Sequence, residues 1–307
     1  MKINRRKALG AMLTGTAAVA GVQTAKAASH KKLENSKMAA MLYDTTLCIG
    51  CKACVSACSQ ANGLTPDTGD SNGMYQMPKY LNDKTKNIIK LYVDKESGLR
   101  SFVKAQCMHC IDPACVAACP MAALRKNEEN GIVYWDGTTC LGCRYCQIAC
   151  PYNIPKFEWS EVNPKIVKCQ MCDHRLKEGK LPACCEVCPR QAVIYGTREE
   201  LLRVARRRIA ENPGKYYEDR IYGEFEGGGT QVLYLTHIEP KLLGHLVPLD
   251  NRSIPEQVES VQNTLYMGFL SPIVAYAALT TYMKKRWNQH EEEAKHIEEQ
   301  TGLKEQL

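Results

Sequence analysis

Phe and Trp are scarce in this chain: its 307 residues include four Phe and three Trp. The length suffices for one or two domains with cores of their own. The cysteine-rich part is nevertheless expected to lack a large aromatic core, so some other staple must hold it. Several chemical signatures are missing as well. The glycine triplet in 227-GGGTQVLYLT-236 has no Lys-Ser/Thr after it and leads into a strand, so it is no phosphate loop. There is no G-x-G-x-x-G. No C-x2-C runs directly into His, which excludes covalent haem attachment. No nucleophile–base pair suggests itself, so the chain reads as non-catalytic.

A strong excess of one charge is also lacking. The formal net charge is +7, but five of the basic residues (Lys2, Arg5, Arg6, Lys7, Lys26) lie in the first 27 residues with no acidic one, so the remainder carries +2. A nucleic-acid binder would show a pronounced basic excess. Those 27 residues have the form of an export signal. Arg5 and Arg6 make a twin-arginine pair, Ala8 to Val22 is mildly apolar, and Ala25-Lys26-Ala27 fits an A-x-A cleavage site. The apolar run is too short and too diluted by Gly and Thr to anchor the chain.

One further hydrophobic run lies near the other end. No charged residue occurs between Glu259 and Lys284, and Leu265 to Met283 reads LYMGFLSPIVAYAALTTYM. Tyr266, Tyr282 and Trp287 flank it, and Lys284, Lys285 and Arg286 follow. This pattern predicts one membrane-spanning helix with the basic end in the cytoplasm. The expected organisation is therefore a signal over 1–27, a linker over 28–41, a cysteine-rich domain over 42–196, and a helix with a docking segment over 197–258. A span over 259–286 and a cytoplasmic tail over 287–307 complete it. The body would sit on the periplasmic side of the inner membrane.

What the chain has in abundance is cysteine, 17 residues in four clustered groups that amount to an internal repeat. The first is Cys48, Cys51, Cys54 and Cys58, with gaps of x2, x2 and x3. The second is Cys107, Cys110, Cys115 and Cys119 (x2, x4, x3), and the third Cys140, Cys143, Cys146 and Cys150 (x2, x2, x3). The fourth is Cys169, Cys172, Cys184 and Cys188 (x2, x11, x3); the x3 spacing selects Cys184 over its neighbour Cys185. Disulfides would close only tiny loops, and an odd count leaves one thiol over. Zinc knuckles pair two C-x2-C units across a longer gap. The spacing C-x2-C-x2-C-x3-C-P is instead that of bacterial ferredoxins, in which the fourth cysteine ligates the other cluster of a pair. Sixteen thiolates would hold four [4Fe–4S] clusters and supply the missing staple. Basic residues beside the motifs, Lys52, Arg144 and Lys168, would offset cluster charge. His109, inside a complete set of four, reads as a packing residue or a donor to sulfur.

Short strands are expected at Ile132 to Trp135 and Ala192 to Tyr195, and a hairpin at Asn87 to Val93 and Arg100 to Lys104 joined through 94-DKESG-98. Thr197 with Glu200 forms a capping box for a helix that ends at Asn212-Pro213-Gly214. Leu201, Val204, Ala205 and Arg208 share one face of that helix, and 206-RRR-208 reads as solvated.

The four motifs, in this order, resemble the four-cluster electron-transfer subunits of membrane-bound respiratory oxidoreductases. Closer still, 41-MLYDTTLCIGCKACVSAC-58, 140-CLGCRYCQIACPYNIPK-156 and 226-EGGGTQVLYLT-236 are similar to the ferredoxin-type subunit of uptake [NiFe] hydrogenases of the hydrogenase-2 type. The resemblance implies an α+β fold of two interleaved bacterial-ferredoxin-like modules plus one C-terminal transmembrane helix. It implies that the first motif shares clusters with the fourth and the second with the third. Cys48, Cys51, Cys54 and Cys188 would hold one cluster, and Cys169, Cys172, Cys184 and Cys58 its neighbour. Cys107, Cys110, Cys115 and Cys150 would hold the third, and Cys140, Cys143, Cys146 and Cys119 the last. The family has a single cysteine where this chain has Cys184-Cys185. The implied partners are the hydrogenase small and large subunits, an integral membrane quinone-reactive subunit, and the lipid bilayer through one helix. Two alternatives stand beside this: the equivalent subunit of a formate dehydrogenase or other molybdopterin oxidoreductase, and a scaffold whose clusters are purely structural.

Overall fold

The protein is described by a computed structural model that covers residues 34, 36–65, 67, 78–161 and 164–301. The expected signal, Met1 to Ala27, lies outside the described residues, as does most of the linker after it. The chain divides into two compact units, one ending at Pro255 and the other beginning at Glu256.

The first unit is α+β and is organised on a three-stranded sheet. Its middle strand is β1 (Ala39–Asp44). This strand is apolar except for its last residue and is buried throughout, as a strand covered on both faces must be. Its side chains alternate between two cores. Ala39, Met41 and Tyr43 face the core that also contains Cys54, Cys107, Cys169 and Cys184. Ala40 and Leu42 face the core built on Leu201, Leu202 and Ala205.

Two ferredoxin-like halves hang on this sheet. In one, α1 (Ala53–Ala61) packs on a short helix later in the chain, Ala183–Glu186. In the other, α2 (Ala114–Ala117) packs on α3 (Tyr145–Ala149). The first and fourth cysteine motifs thus form one half, and the second and third form the other.

Between the first two motifs runs the hairpin of β2 (Asn87–Val93) and β3 (Arg100–Gln106), close to the range expected. β4 (Leu124–Lys126) pairs with β5 (Val133–Trp135), and β6 (Lys156–Phe157) with β7 (Ile166–Val167). A third small core of Leu124, Val133, Cys146, Phe157 and Ile166 fills the space beside them. After α4 (Asp173–Lys177) and α5 (the Ala183–Glu186 helix), β8 (Val193–Thr197) pairs antiparallel with β1.

α6 (Arg198–Glu211) starts on the expected capping box: Thr197 Oγ1 accepts from Glu200 N–H, and the Glu200 carboxylate accepts from Thr197 N–H. β9 (Val232–Leu235) follows the glycine triplet and pairs parallel with β1.

Two expectations change in this unit. The aromatic core is not missing: Tyr43, Tyr152, Tyr222 and Tyr234 are all buried, the rings of Tyr43 and Tyr222 lie against Tyr234, with Tyr43 and Tyr234 centroids 5.5 Å apart, and Tyr152 joins them through the His245 ring. Counting Phe and Trp overlooked 15 Tyr. The 206-RRR-208 run is not a purely solvated face either, because Arg208 reaches the fully buried Asp44 carboxylate at 3.0 Å.

The second unit carries α7, which begins just before it (Ile254–Thr301). Here the expected transmembrane span over 259–286 is overturned. Among the described residues no helix is long and apolar enough to cross a membrane. The helix has the length, but its uncharged stretch is diluted by Gly268, Ser271, Pro272, Thr280 and Thr281. The single-pass anchor falls with the span.

Candidate functional site

Each cysteine motif folds into a tight loop of repeated geometry. The residue before the second cysteine has a positive φ in all four motifs: Gly50, His109, Gly142 and Met171. That turn aims backbone N–H groups inward, and Gly50 N–H and Met171 N–H donate to the sulfurs of Cys48 (3.4 Å) and Cys169 (3.3 Å). Glycine is required at position 50, since a Cβ there would lie 2.3 Å from the Phe102 ring. A second repeat follows each Cys-Pro pair. Ala122, Asn153 and Gln191 take positive φ, and the next N–H turns onto a sulfur. Ala123 N–H donates to Cys119 at 3.2 Å and Ala192 N–H to Cys188 at 3.3 Å. Such donors stabilise a charged sulfur over a neutral one.

The sixteen expected ligands assemble into four sets drawn from different motifs. A cavity is lined by Cys48, Cys51, Cys54 and Cys188, with Tyr43 and Pro189 on its walls. Cys58 is raised by the charges of Cys184 and Cys172, and Cys169 by Cys58 and Cys184. Cys110 is raised by Cys150, Cys107 and Cys115. Cys146 is raised by Cys119, Cys140 and Cys143. In every case burial is the larger cause; it pushes Cys54 and Cys146 up to about 12 and Cys58 and Cys150 up to about 11.

The sets also lie near one another in order. Cys54 of the first feels Cys184 of the second, Cys169 of the second feels Cys107 of the third, and Cys115 of the third feels Cys146 of the fourth. The result is a row.

Iron–sulfur cubes fit these sets better than single ions do. Among the described residues no three His, Cys, Asp or Glu side chains converge as one metal ion requires. A cube binds each thiolate to a different iron, so its ligands stand further apart than those of one zinc. Buried cations supply a second argument. Lys104 and Lys168 are fully buried, and neither forms an ion pair with a carboxylate among the described residues. Lys168 Nζ donates to the carbonyls of Val133 and Cys169. Buried charges of one sign need the opposite charge nearby.

Other residues singled out in the sequence take distinct places. Lys52 and Arg144 occupy left-handed backbone in equivalent loops. The Arg144 guanidinium lies 3.8 Å from the centre of the Trp159 ring, a cation–π stack at the edge of the fourth set. His109 is fully buried, and its Nδ1 accepts from Val133 N–H at 3.0 Å. Burial, then the charges of Lys168 and Lys126, hold it well below its usual range, so the ring is neutral.

Cys184 is buried beside Lys104, while Cys185 is half-buried, bonds to the Cys184 sulfur and also feels Lys104 and Cys169. Sequence reasoning missed Lys104 altogether. Its signal is a Lys two residues before Gln106 in a strand that is otherwise apolar at its buried end.

Comparison with known proteins agrees with this chemistry. A family model described as a 4Fe-4S dicluster domain matches residues 100–198, and one described as a 4Fe-4S binding domain matches residues 41–60. The chain is 40% identical to the hydrogenase-2 operon protein HybA of Escherichia coli O157:H7, over 90% of this chain and 92% of that protein. It is 36% identical to the iron-sulfur subunit of the nitrate-inducible formate dehydrogenase of Escherichia coli K12, over 79% and 81%. With the formate dehydrogenase iron-sulfur subunit of Haemophilus influenzae it shares 34% identity, over 85% and 81%.

Proposed function

Because the chain belongs to the iron–sulfur family that contains these hydrogenase-2 and formate dehydrogenase proteins and is an iron–sulfur electron-transfer subunit, we propose that it holds four [4Fe–4S] clusters. Through them it relays electrons from a periplasmic [NiFe] hydrogenase to an integral membrane subunit that reduces quinone. The observation that carries this reading is the row of four thiol sets, each linked to the next.

A bound cube takes up and releases one electron at a time. The chain's own residues do the rest. Sixteen thiolates fix the positions. Tyr43, Met108 and Met171, all nearly without exposure, keep water from the interior of the row. The backbone donors and the buried lysines offset the negative charge that four cubes bring. In this reading the chain conducts and its partners catalyse. The hydrogenase reading is favoured over a formate dehydrogenase one by the higher identity and wider coverage of the hydrogenase-2 relative.

Removing this chain from cells should abolish hydrogen-dependent quinone reduction but leave hydrogen oxidation with an artificial dye acceptor. Unchanged quinone reduction, or loss of formate-dependent reduction instead, would sink the hydrogenase assignment. The Arg5-Arg6 leader supports export by the twin-arginine route to the periplasmic side of the inner membrane. Replacing both with Lys should leave the protein in the cytoplasm with its clusters; normal export of that variant would refute the reading.

A further inference from the structure

Lys104 lies on β3 with no exposure to solvent. Its ammonium donates to Gln106 Oε1, and none of the ion pairs among the described residues includes it. The position is fixed by backbone. β3 pairs with β2 through Ile89 and Lys104, and the buried Tyr234 hydroxyl donates to the Lys104 carbonyl at 2.6 Å. Gln106 is itself held, its side-chain amide donating to Met41 Sδ at 3.4 Å. Its strand partner Ile89 lines the cavity of Cys48, Cys51, Cys54 and Cys188, so the chain carries Lys104 to the wall of the first set. The charges that act on its ammonium are those of Cys184, Cys54, Cys169 and Cys58. Those four sulfurs belong to two different sets: Cys54 to the first, and Cys58, Cys169 and Cys184 to the second.

The other sets are served differently. Cys115 and Cys150 of the third set feel Lys168, and Cys110 feels Lys126. The charges that raise Cys146 of the fourth set are those of Cys119, Cys140 and Cys143, and the Arg144 guanidinium stacks on Trp159 at that set's edge. Lys104 is therefore one cation placed where two thiol sets meet.

We propose that Lys104 is a shared internal countercharge that favours the reduced state of the centres held by the first and second thiol sets, raising both potentials together. The inference rests on the reading that each set holds a [4Fe–4S] cluster. A fixed positive charge in a water-poor interior acts strongly because little solvent screens it, and adding an electron to a nearby centre makes that attraction larger. Gln106 is the positioning residue that aims the ammonium.

The test uses the full-length chain purified anaerobically, with Lys104→Met to remove the charge at similar length and Lys104→Arg to keep it. Iron content and an EPR-monitored redox titration are the readouts. Wild type and both variants should carry about sixteen irons. In Lys104→Met, two of the four centres should become harder to reduce. Their reduced-to-oxidised ratio at a fixed potential should fall at least tenfold, which is 59 mV for a one-electron couple. The other two centres should stay in place, and Lys104→Arg should titrate like wild type. Four unmoved centres, four centres moving together, or an Arg variant that behaves like the Met variant would each overturn the proposal. Should Lys104→Met lose two centres that Lys104→Arg retains, the charge is needed even to assemble them, which supports it; loss in both variants overturns it. Fewer than four cubes in wild type would be a failure of the four-cluster reading instead, and the iron assay shows that separately.

Discussion

Exchanging each of two adjacent thiols for serine identifies the ligand in the fourth motif. α5 begins after Pro182 just as α2 begins after Pro113, and both segments read P-A-C-x3-C-P, over 113–120 and 182–189. In this superposition Cys184 stands where Cys115 stands, and Cys185 falls on Val116. Both segments end alike, with the N–H four residues beyond Cys119 or Cys188 donating to that sulfur. One residue along a helix is a turn of about 100°, so the two thiols leave the helix in different directions. Cys184 is 4% exposed and raises Cys58 and Cys169 of its set. Cys185 donates to the Cys184 sulfur, and that bond pulls Cys184 down, assisted by Lys104 against the effect of burial.

Cys184→Ser should therefore cost one cube in four, a loss of about four irons from about sixteen, or about one if a three-iron remnant survives. Cys185→Ser keeps a donor toward the Cys184 sulfur and should retain all of them, with stability changed by no more than about 1 kcal/mol. Iron and acid-labile sulfide analysis with low-temperature EPR reads both outcomes. A full complement in Cys184→Ser together with a deficit in Cys185→Ser would refute the superposition and move the ligand by one residue.

Two further outcomes follow from buried polar groups. Asp44 is fully buried; one carboxylate oxygen accepts from Thr46 N–H (3.0 Å) and Thr46 Oγ1 (2.6 Å), the other from Arg208 (3.0 Å) and Tyr216 (3.0 Å). Asp44→Asn should lower stability by roughly 3 kcal/mol, the low end for removing one member of a buried pair because Arg208 retains some exposure. A urea midpoint shift worth less than about 0.5 kcal/mol would show that this network is idle. His245 accepts from Gln106 N–H at 3.4 Å, and burial, then the charges of Lys90 and Lys104, lower it to about 3. A depressed pKa contributes stability that is present above the unfolded value near 6.5 and lost as pH falls toward 3. At pH 4.5 the loss should reach about 2.5 kcal/mol, so His245→Asn should flatten the acid limb of urea midpoints between pH 7 and 4.5; an unaltered limb would count against the buried neutral ring.

Local signals in the sequence were enough for much of this protein. Cysteine spacing specifies cube ligation because three thiols on one tight loop must serve one centre, and the positive φ at Gly50, His109, Gly142 and Met171 is how that loop closes. The capping box at Thr197 and the hairpin of β2 and β3 depend on residues close in sequence, so they too were legible. The α7 pattern misled, because freedom from charge is not the same as apolarity and the run carries too many small and hydroxyl residues.

Contacts between distant residues were decided by the tertiary structure. Which motifs combine depends on α1 meeting α5 and α2 meeting α3, and no spacing within a motif encodes those meetings; a resemblance had to supply the pairing in advance. The tyrosine core forms only when β1 and β9 lie side by side and bring Tyr43 to Tyr234. Arg208 looked solvated until α6 folded it back onto Asp44, 164 positions away. Lys104 is an ordinary strand lysine in the sequence. Its charge has no meaning until the chain carries it into an interior where thiols from the first and fourth motifs converge, and where low solvent screening lets one ammonium act on two centres.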